Sequence, residues 1–197
     1  MDSENEIKKT LPGLIEHEIL APHTTMQVGG VADYYYRAET IEELIQSVQA
    51  AIDADIPYLI LGGGSNVIVS DYGFPGLVIA NQTKNIAFLL DNAQAIVDSG
   101  VYLSHLITKA ASQELGGLEF LTGVPGTIGG AVYNNASCWD NALGDYIRNV
   151  TLLLPGKEPQ ERCQVVSVDQ EWMDFNYRSS KLKELAKQQE GRKPVIL

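Results

Sequence analysis

Apolar positions recur along this chain at two periods, and the switch between them marks out the elements. Residues 31 to 38, VADYYYRA, are rich in strand formers. Ile41, Leu44, Ile45, Val48 and Ile52 follow at helical spacing, with Thr40 and Glu43 set as a capping box, so a helix is predicted from 41 to about 54. Pro57 then opens YLILG, whose unbroken apolar run predicts a strand buried on both faces. VIVS and GLVIA read as two more strands across the turn-rich link DYGFPG. IAFLL and AIVDSG read as a further strand pair, and Leu103, Leu106, Ile107, Ala110 and Leu115 line one face of a helix stopped by Gly116-Gly117. RNVTLLLPGKEPQERCQVVSV reads as two strands around PGKEPQE, and DFNYRSSKLKELAKQQE as a loop entering a charged amphipathic helix. The final PVIL reads as the start of a strand.

These elements divide the chain into a loose polar leader over 1–16, a first lobe over 17–80 and a second over 81–197. With 197 residues there is length enough for a real core, and 45% hydrophobic content fits a globular chain. The net charge of -11 argues against nucleic-acid or anionic-membrane partners, which need clustered Lys and Arg. MDSENEIKKT lacks the apolar core of a secretion signal and no apolar run approaches the roughly 20 residues of a membrane span, so a cytoplasmic protein is expected. Cys138 and Cys163 are far apart and read as ordinary buried thiols. His17, His23 and His105 show no ligand spacing, so no metal site is expected. Glu42-Glu43 and Glu16/Glu18 read as a helix cap and a solvated face.

Two glycine-rich runs interrupt the apolar pattern: LGGGSNVIVS, with Gly62, Gly63, Gly64, Ser65 and Asn66, and TGVPGTIGGA, with Gly123, Gly126 and Gly129 at three-residue intervals. Bare backbone lets an anion approach the peptide N–H groups closely, which matters in an acidic chain where positive potential must come from local dipoles. The P-loop pattern fails because no lysine follows either run, and the Rossmann pattern fails because VIVS, not a helix, follows the first. The second run leads into a helix from about Ile128, whose free N–H groups would favour phosphate. The spacing is compatible with a backbone-held anion and equally with tight turns.

The same residues carry a resemblance. HTTMQVGGVADYYYRAETIEELIQSV, PYLILGGGSNVIVSDYGFPGLVIAN, GLEFLTGVPGTIGGAVYNNAS and DFNYRSSKLKE follow one another much as in the UDP-N-acetylenolpyruvoylglucosamine reductase family, flavoenzymes of bacterial peptidoglycan precursor synthesis. The resemblance implies an α+β fold, a two-lobed FAD-binding domain of the vanillyl-alcohol oxidase type. It implies that Gly62, Gly63, Gly64, Ser65 and Asn66 line the FAD pyrophosphate from the first lobe, and that Gly123, Pro125, Gly126, Thr127, Gly129, Gly130 and Ala131 close over it from the second, with Asn135 nearby. NADPH would be the hydride donor and a UDP-sugar the substrate. Arg178, a solvated surface arginine by composition alone, would then hold the enolpyruvyl carboxylate, where a guanidinium suits the charge. Tyr177 would orient the substrate and Ser180 would support the loop. An oxidase or dehydrogenase for another substrate and a non-catalytic flavin-binding module are the alternatives.

The chain departs from the family pattern in three places. The family's proton-donating serine and assisting glutamate, set in a third, substrate-binding domain and near the C-terminal end, have no match in residues 1–197. Gln27 stands where the family often has a basic residue. Ala136-Ser137-Cys138-Trp139 replaces the family's alanine-glycine-alanine-tyrosine segment; Trp139 is expected to pack in the core, with stacking near the flavin as the alternative.

Overall fold

A computed structural model describes residues 7–156, 161–188 and 192–197. Numbered in chain order, β1 (Ile15–Ile19), β2 (Val31–Ala38), α1 (Ile41–Asp53), β3 (Tyr58–Leu61) and β4 (Phe74–Asn81) build the first lobe. Its sheet has the order β1-β2-β4-β3, with β2, β4 and β3 parallel and β1 antiparallel at the edge. Helix α1 starts where its sequence says: the Thr40 side chain accepts from the Glu43 N–H, and the Glu43 side chain reaches back to the cap backbone. A cap of this kind is worth about 1 kcal/mol. The sheet is buried on both faces. Tyr36, Ala38, Tyr58, Leu77 and Ile79 pack with Leu44, Val48 and Ile52 of α1, while Tyr35, Leu61, Val78 and Ala80 form a separate cluster on the reverse face with Leu20. Alternate residues of β4 thus feed two cores, which is why its sequence shows an apolar run rather than alternation.

The second lobe holds β5 (Ile86–Leu89), β6 (Gln94–Val97), α2 (Leu103–Ser112), α3 (Ile128–Tyr133), β7 (Ser137–Cys138), β8 (Asn141–Ala142), β9 (Asn149–Leu154), β10 (Gln164–Asp169), α4 (Gln170–Met173), α5 (Lys181–Gln188) and β11 (Val195–Ile196). β10, β9 and β11 form an antiparallel sheet, and the predicted hairpin and final strand are both present. This sheet is a shared wall: Val150, Leu152 and Ile196 face the second-lobe core, whereas Leu153 and Val195 face the core of α1. Part of the predicted turn PGKEPQE lies outside the described residues.

Three expectations change. VIVS, residues 67–70, forms no strand: Val67 and Val69 pack against the Leu20 cluster, but the segment's tie to its neighbour is one hydrogen bond, from the Gly30 N–H to the Ser70 carbonyl, and one bond is not a ladder. The consequence drawn from it stands, since no helix follows the first glycine run. Helix α2 ends at Ser112, because Glu114 turns left-handed (φ 57°) and the Leu115 N–H closes back on the Ala110 carbonyl at 3.0 Å, before the glycines are reached. The leader expected over 1–16 is anchored from residue 7, where Ile7 and Leu11 are buried against α1 and β1 starts at Ile15. No helix among the described residues is long and apolar enough to cross a membrane.

Candidate functional site

The two glycine runs, some sixty residues apart in sequence, meet in space. The Gly62 backbone sits so close to Thr127 that a Cβ there would collide with its Oγ1, and a Cβ on Gly126 would lie 2.9 Å from Ser65 Oγ. Tyr102 fills the third side, 2.8 Å from where a Cβ of Gly63 would be, and forms an isolated bridge to Thr127. Leu103 N–H to Gly126 carbonyl (3.0 Å) and Ile128 N–H to Val101 carbonyl (2.8 Å) hold that bridge in place.

The first loop is bent by what lies beneath it. Gly64 adopts φ 65° with the His23 carbonyl directly against it, and its own carbonyl accepts from the Thr25 N–H at 3.0 Å. Only glycine fits there, because a side chain would meet backbone that cannot move aside. Among the described residues no protein acceptor takes the N–H groups of Gly63, Gly64, Ser65 or Asn66. Such a row of donors over bare backbone is the chemistry an anionic diphosphate requires.

The second loop contributes differently from the expectation. Helix α3 has only six residues, and two of its leading N–H groups are bonded: Ile128 to the Val101 carbonyl and Gly129 to the Ser99 carbonyl, both at 2.8 Å. A helix-dipole anion site is therefore largely closed. Gly129 is needed for packing, since a Cβ would stand 3.0 Å from Ser99 Cβ, and Ala131 is buried in the second-lobe core. Gly126, Gly130, Pro125 and Gly123 remain toward solvent, with open space beside Gly123. Behind the loop a buried network fixes Ser99: its Oγ accepts from Asn81 Nδ2 (2.7 Å) and donates to the Ile196 carbonyl (2.7 Å).

A cleft of about 670 Å³ opens beside the paired loops, lined by Thr24, Thr25, Gly62, Gly63, Thr83 and Tyr102 among others. On its wall His23 stacks on Tyr35 with ring centroids 4.6 Å apart. His23 Nε2 lies 2.7 Å from Glu18 Oε1, and its Nδ1 lies 3.2 Å from the Tyr35 hydroxyl. Burial pushes the Tyr35 phenol above its usual range. The sequence reading missed this trio, since 5 and 12 residues separate its members from His23 and only the β1–β2 pairing brings them together.

Arg178 and Tyr177 lie at the far end of α3 from the glycine loops, a helix length of roughly 9 Å. They occupy a two-residue turn closed by reciprocal hydrogen bonds between Asn176 and Ser179 (3.0 and 3.1 Å). Arg178 is exposed and left-handed (φ 53°), and its Nη2 donates to the Ser137 carbonyl at 3.1 Å. The turn is fastened to α3 at several points. Ser180 Oγ donates to the Tyr133 carbonyl (2.8 Å), and Lys183 Nζ donates both to Asn134 Oδ1 (3.0 Å) and to the Arg178 carbonyl (2.9 Å). Asn135 is buried with its amide committed to protein, Nδ2 to the Asn176 carbonyl (2.9 Å) and Oδ1 to the Gly144 N–H (2.8 Å). Its place is to join the two segments. Trp139, expected in the core, is instead 82% exposed at the tip of the β7–β8 turn, because Cys138 pairs with Asn141 and leaves the intervening residues no interior to enter. Both cysteines are free and half-buried, and no group of three metal-ligating side chains occurs among the described residues.

The chain is similar to known proteins in sequence and in fold. The family model described as "FAD binding domain" matches residues 32–160. The chain is 35% identical over 184 residues to the UDP-N-acetylenolpyruvoylglucosamine reductase of Caldicellulosiruptor bescii, spanning 93% of this chain and 56% of that protein. It is 39% identical over 175 residues to the enzyme of the same name from Synechococcus sp., spanning 88% of this chain and 54% of that protein. The chain thus spans about half the length of the curated relatives it matches. Among solved structures, the UDP-N-acetylenolpyruvylglucosamine reductase of Thermus caldophilus superposes with a TM-score of 0.70 at 30% identity, over 92% of this chain and 59% of that one. An alkyldihydroxyacetonephosphate synthase shares the fold alone, at a TM-score of 0.63 and 16% identity over 99% of this chain and 39% of that one. The α+β, two-lobed architecture implied by the motifs is the one found, and with more than half of its residues inside the matching family model the chain belongs to the FAD-binding domain family.

Proposed function

We propose that the chain holds FAD across its paired glycine loops and serves as the flavin-binding part of a UDP-N-acetylenolpyruvoylglucosamine reductase. In that reading NADPH is the hydride donor and the enolpyruvyl UDP-sugar the acceptor. The observation that carries it is the contact of Gly62 and Ser65 with Thr127 and Gly126, which sets the unpartnered N–H groups of the first loop beside the cleft. The residues fit the cofactor: backbone N–H groups without a protein acceptor in the first loop, and open backbone at Gly123 and Gly130 in the second.

Bound there, FAD supplies reversible two-electron hydride carriage. The chain's own residues do the rest of what is within their reach. Gly63, Gly64 and Ser65 would offer N–H donors to the diphosphate, with Tyr102 against Gly63 on the wall of the cleft and Thr127 against Gly62. In this reading Asn66, Gly123, Pro125, Gly126 and Gly130 would close over the cofactor from the two loops, while Gly129, Ala131 and Asn135 keep the second loop and the turn behind it in register. Arg178, with one of its five N–H donors on Ser137, keeps the others for a carboxylate, and Tyr177 beside it orients the substrate. The acidic surface keeps electrostatic attraction for anions local to these donors rather than spread over the protein.

The purified chain mixed with FAD tests the reading. Flavin absorbance should comigrate with the protein. Gly130→Asp, which adds a carboxylate at an open position of the second loop, should leave it colourless, and Arg178→Ala should retain the flavin. A folded parent that takes up no FAD overturns the proposal. NADPH oxidation that rises on adding the enolpyruvyl UDP-sugar, and not otherwise, would identify the substrate.

A further inference from the structure

A polar chain, Glu18–His23–Tyr35, reaches the cleft wall through its histidine and its tyrosine. In the neutral imidazole the roles along it are consistent: Nε2–H donates to the Glu18 carboxylate, and Nδ1 accepts from the Tyr35 hydroxyl. Glu18 stands on β1 and Tyr35 on β2, and the two strands are paired, so both partners are fixed to the first sheet. Tyr35 is buried and stacks on the imidazole. The His23 ring is thus held at both nitrogens and on one face, and it cannot turn without breaking one of these contacts. Apolar packing would hold a ring here without the desolvation that a half-buried carboxylate and imidazole incur; what the hydrogen bonds add is a fixed direction.

The direction is passed to the backbone that carries the ring. His23 ends the single 3-10 turn Ala21–His23, and its carbonyl stands directly against Gly64. Two residues on, the Thr25 N–H donates to the Gly64 carbonyl at 3.0 Å, and between them Thr24 Oγ1 donates to the Val28 carbonyl at 3.0 Å. The first glycine loop therefore rests on residues 23–25 at the very glycine that is left-handed. From this line of contacts we infer that His23, oriented by Glu18 and Tyr35, is a positioning residue for the cofactor, setting the backbone that aims the Gly64 and Ser65 N–H groups; this deepens the flavin reading and rests on it. Backbone donors hold an anion well only when they converge before it arrives, so a shift in their support is felt as lost affinity.

Two substitutions separate direction from bulk. His23→Leu keeps an apolar side chain at the position and removes both hydrogen bonds, whereas His23→Gln restores a donor and an acceptor on one planar group. Each variant is read twice: by amide exchange of Thr25 without flavin, and by FAD affinity from quenching of flavin fluorescence. In His23→Leu the Thr25 amide should exchange about tenfold faster and FAD should bind about tenfold more weakly, and His23→Gln should recover most of both. The Ile128 and Gly129 amides, on the other loop, should exchange as in the parent. Tyr35→Phe, which deletes one hydroxyl, should move both readouts the same way by about threefold, and its result decides the matter if His23→Leu does not fold. Unchanged Thr25 exchange or unchanged FAD affinity overturns the inference. Equal losses in the Leu and Gln variants overturn it too, since the ring would then act through its shape, as does faster exchange at Thr25, Ile128 and Gly129 alike, which is general loosening. If the parent takes up no FAD the flavin reading fails by itself, and Thr25 exchange alone decides whether His23 sets the loop.

Discussion

The two glycine runs look alike in sequence and do different work in the fold. In the first, Gly64 is dictated by the protein itself, through a left-handed backbone and the His23 carbonyl pressed against it. In the second, Gly130 has nothing nearer than 3.9 Å to where its Cβ would be, so no protein neighbour requires glycine there. Glycines at crowded positions report packing. Glycines at open positions report either freedom or a ligand, and only the second kind discriminates function from architecture.

Substitutions at these positions can break or sharpen that contrast. The largest effect is expected from Gly64→Ala, which meets both the strained φ and immovable backbone and should lower stability by roughly 3 kcal/mol or more in a urea titration. A loss under about 1 kcal/mol would show that the loop yields. Gly62→Ala is intermediate, because its obstacle is the Thr127 side chain rather than backbone. It should lower stability by about 1–2 kcal/mol, and adding Thr127→Ala should recover most of the loss, a non-additivity read from a double-mutant cycle. Strictly additive losses would mean the loops do not touch. The smallest shift belongs to Gly130→Ala, inside α3, which should raise stability by up to about 1 kcal/mol while weakening FAD binding. Unchanged FAD affinity there would remove the open glycine from the cofactor site.

Much of the framework was legible because local pattern and burial agree. The strand over 31–38 and the helix beginning at Ile41 lie where periodicity and the Thr40–Glu43 cap put them. VIVS misled because alternating burial of Val67 and Val69 mimics a strand without a partner backbone to pair with. The contact between the glycine loops and the Glu18–His23–Tyr35 trio depend on strands pairing across the chain, which no local window encodes. Trp139 was assigned inside on residue type, whereas the two-residue register of β7 on β8 decides its direction.

The shared wall of β9 and β11 also bears on how this chain acquires its shape. The core around α1 is completed by Leu153 and Val195, and Tyr58 donates to the Lys193 carbonyl at 2.6 Å, joining residues 135 positions apart. Sequence-distant closure of this kind slows folding, because the intervening chain must be ordered before the contact forms. During vectorial synthesis the first lobe therefore leaves the ribosome with one flank of its interior bare, and that flank is sealed only when residues 193–196 are made. Until then it is the surface on which a chaperone, or another nascent chain, would act.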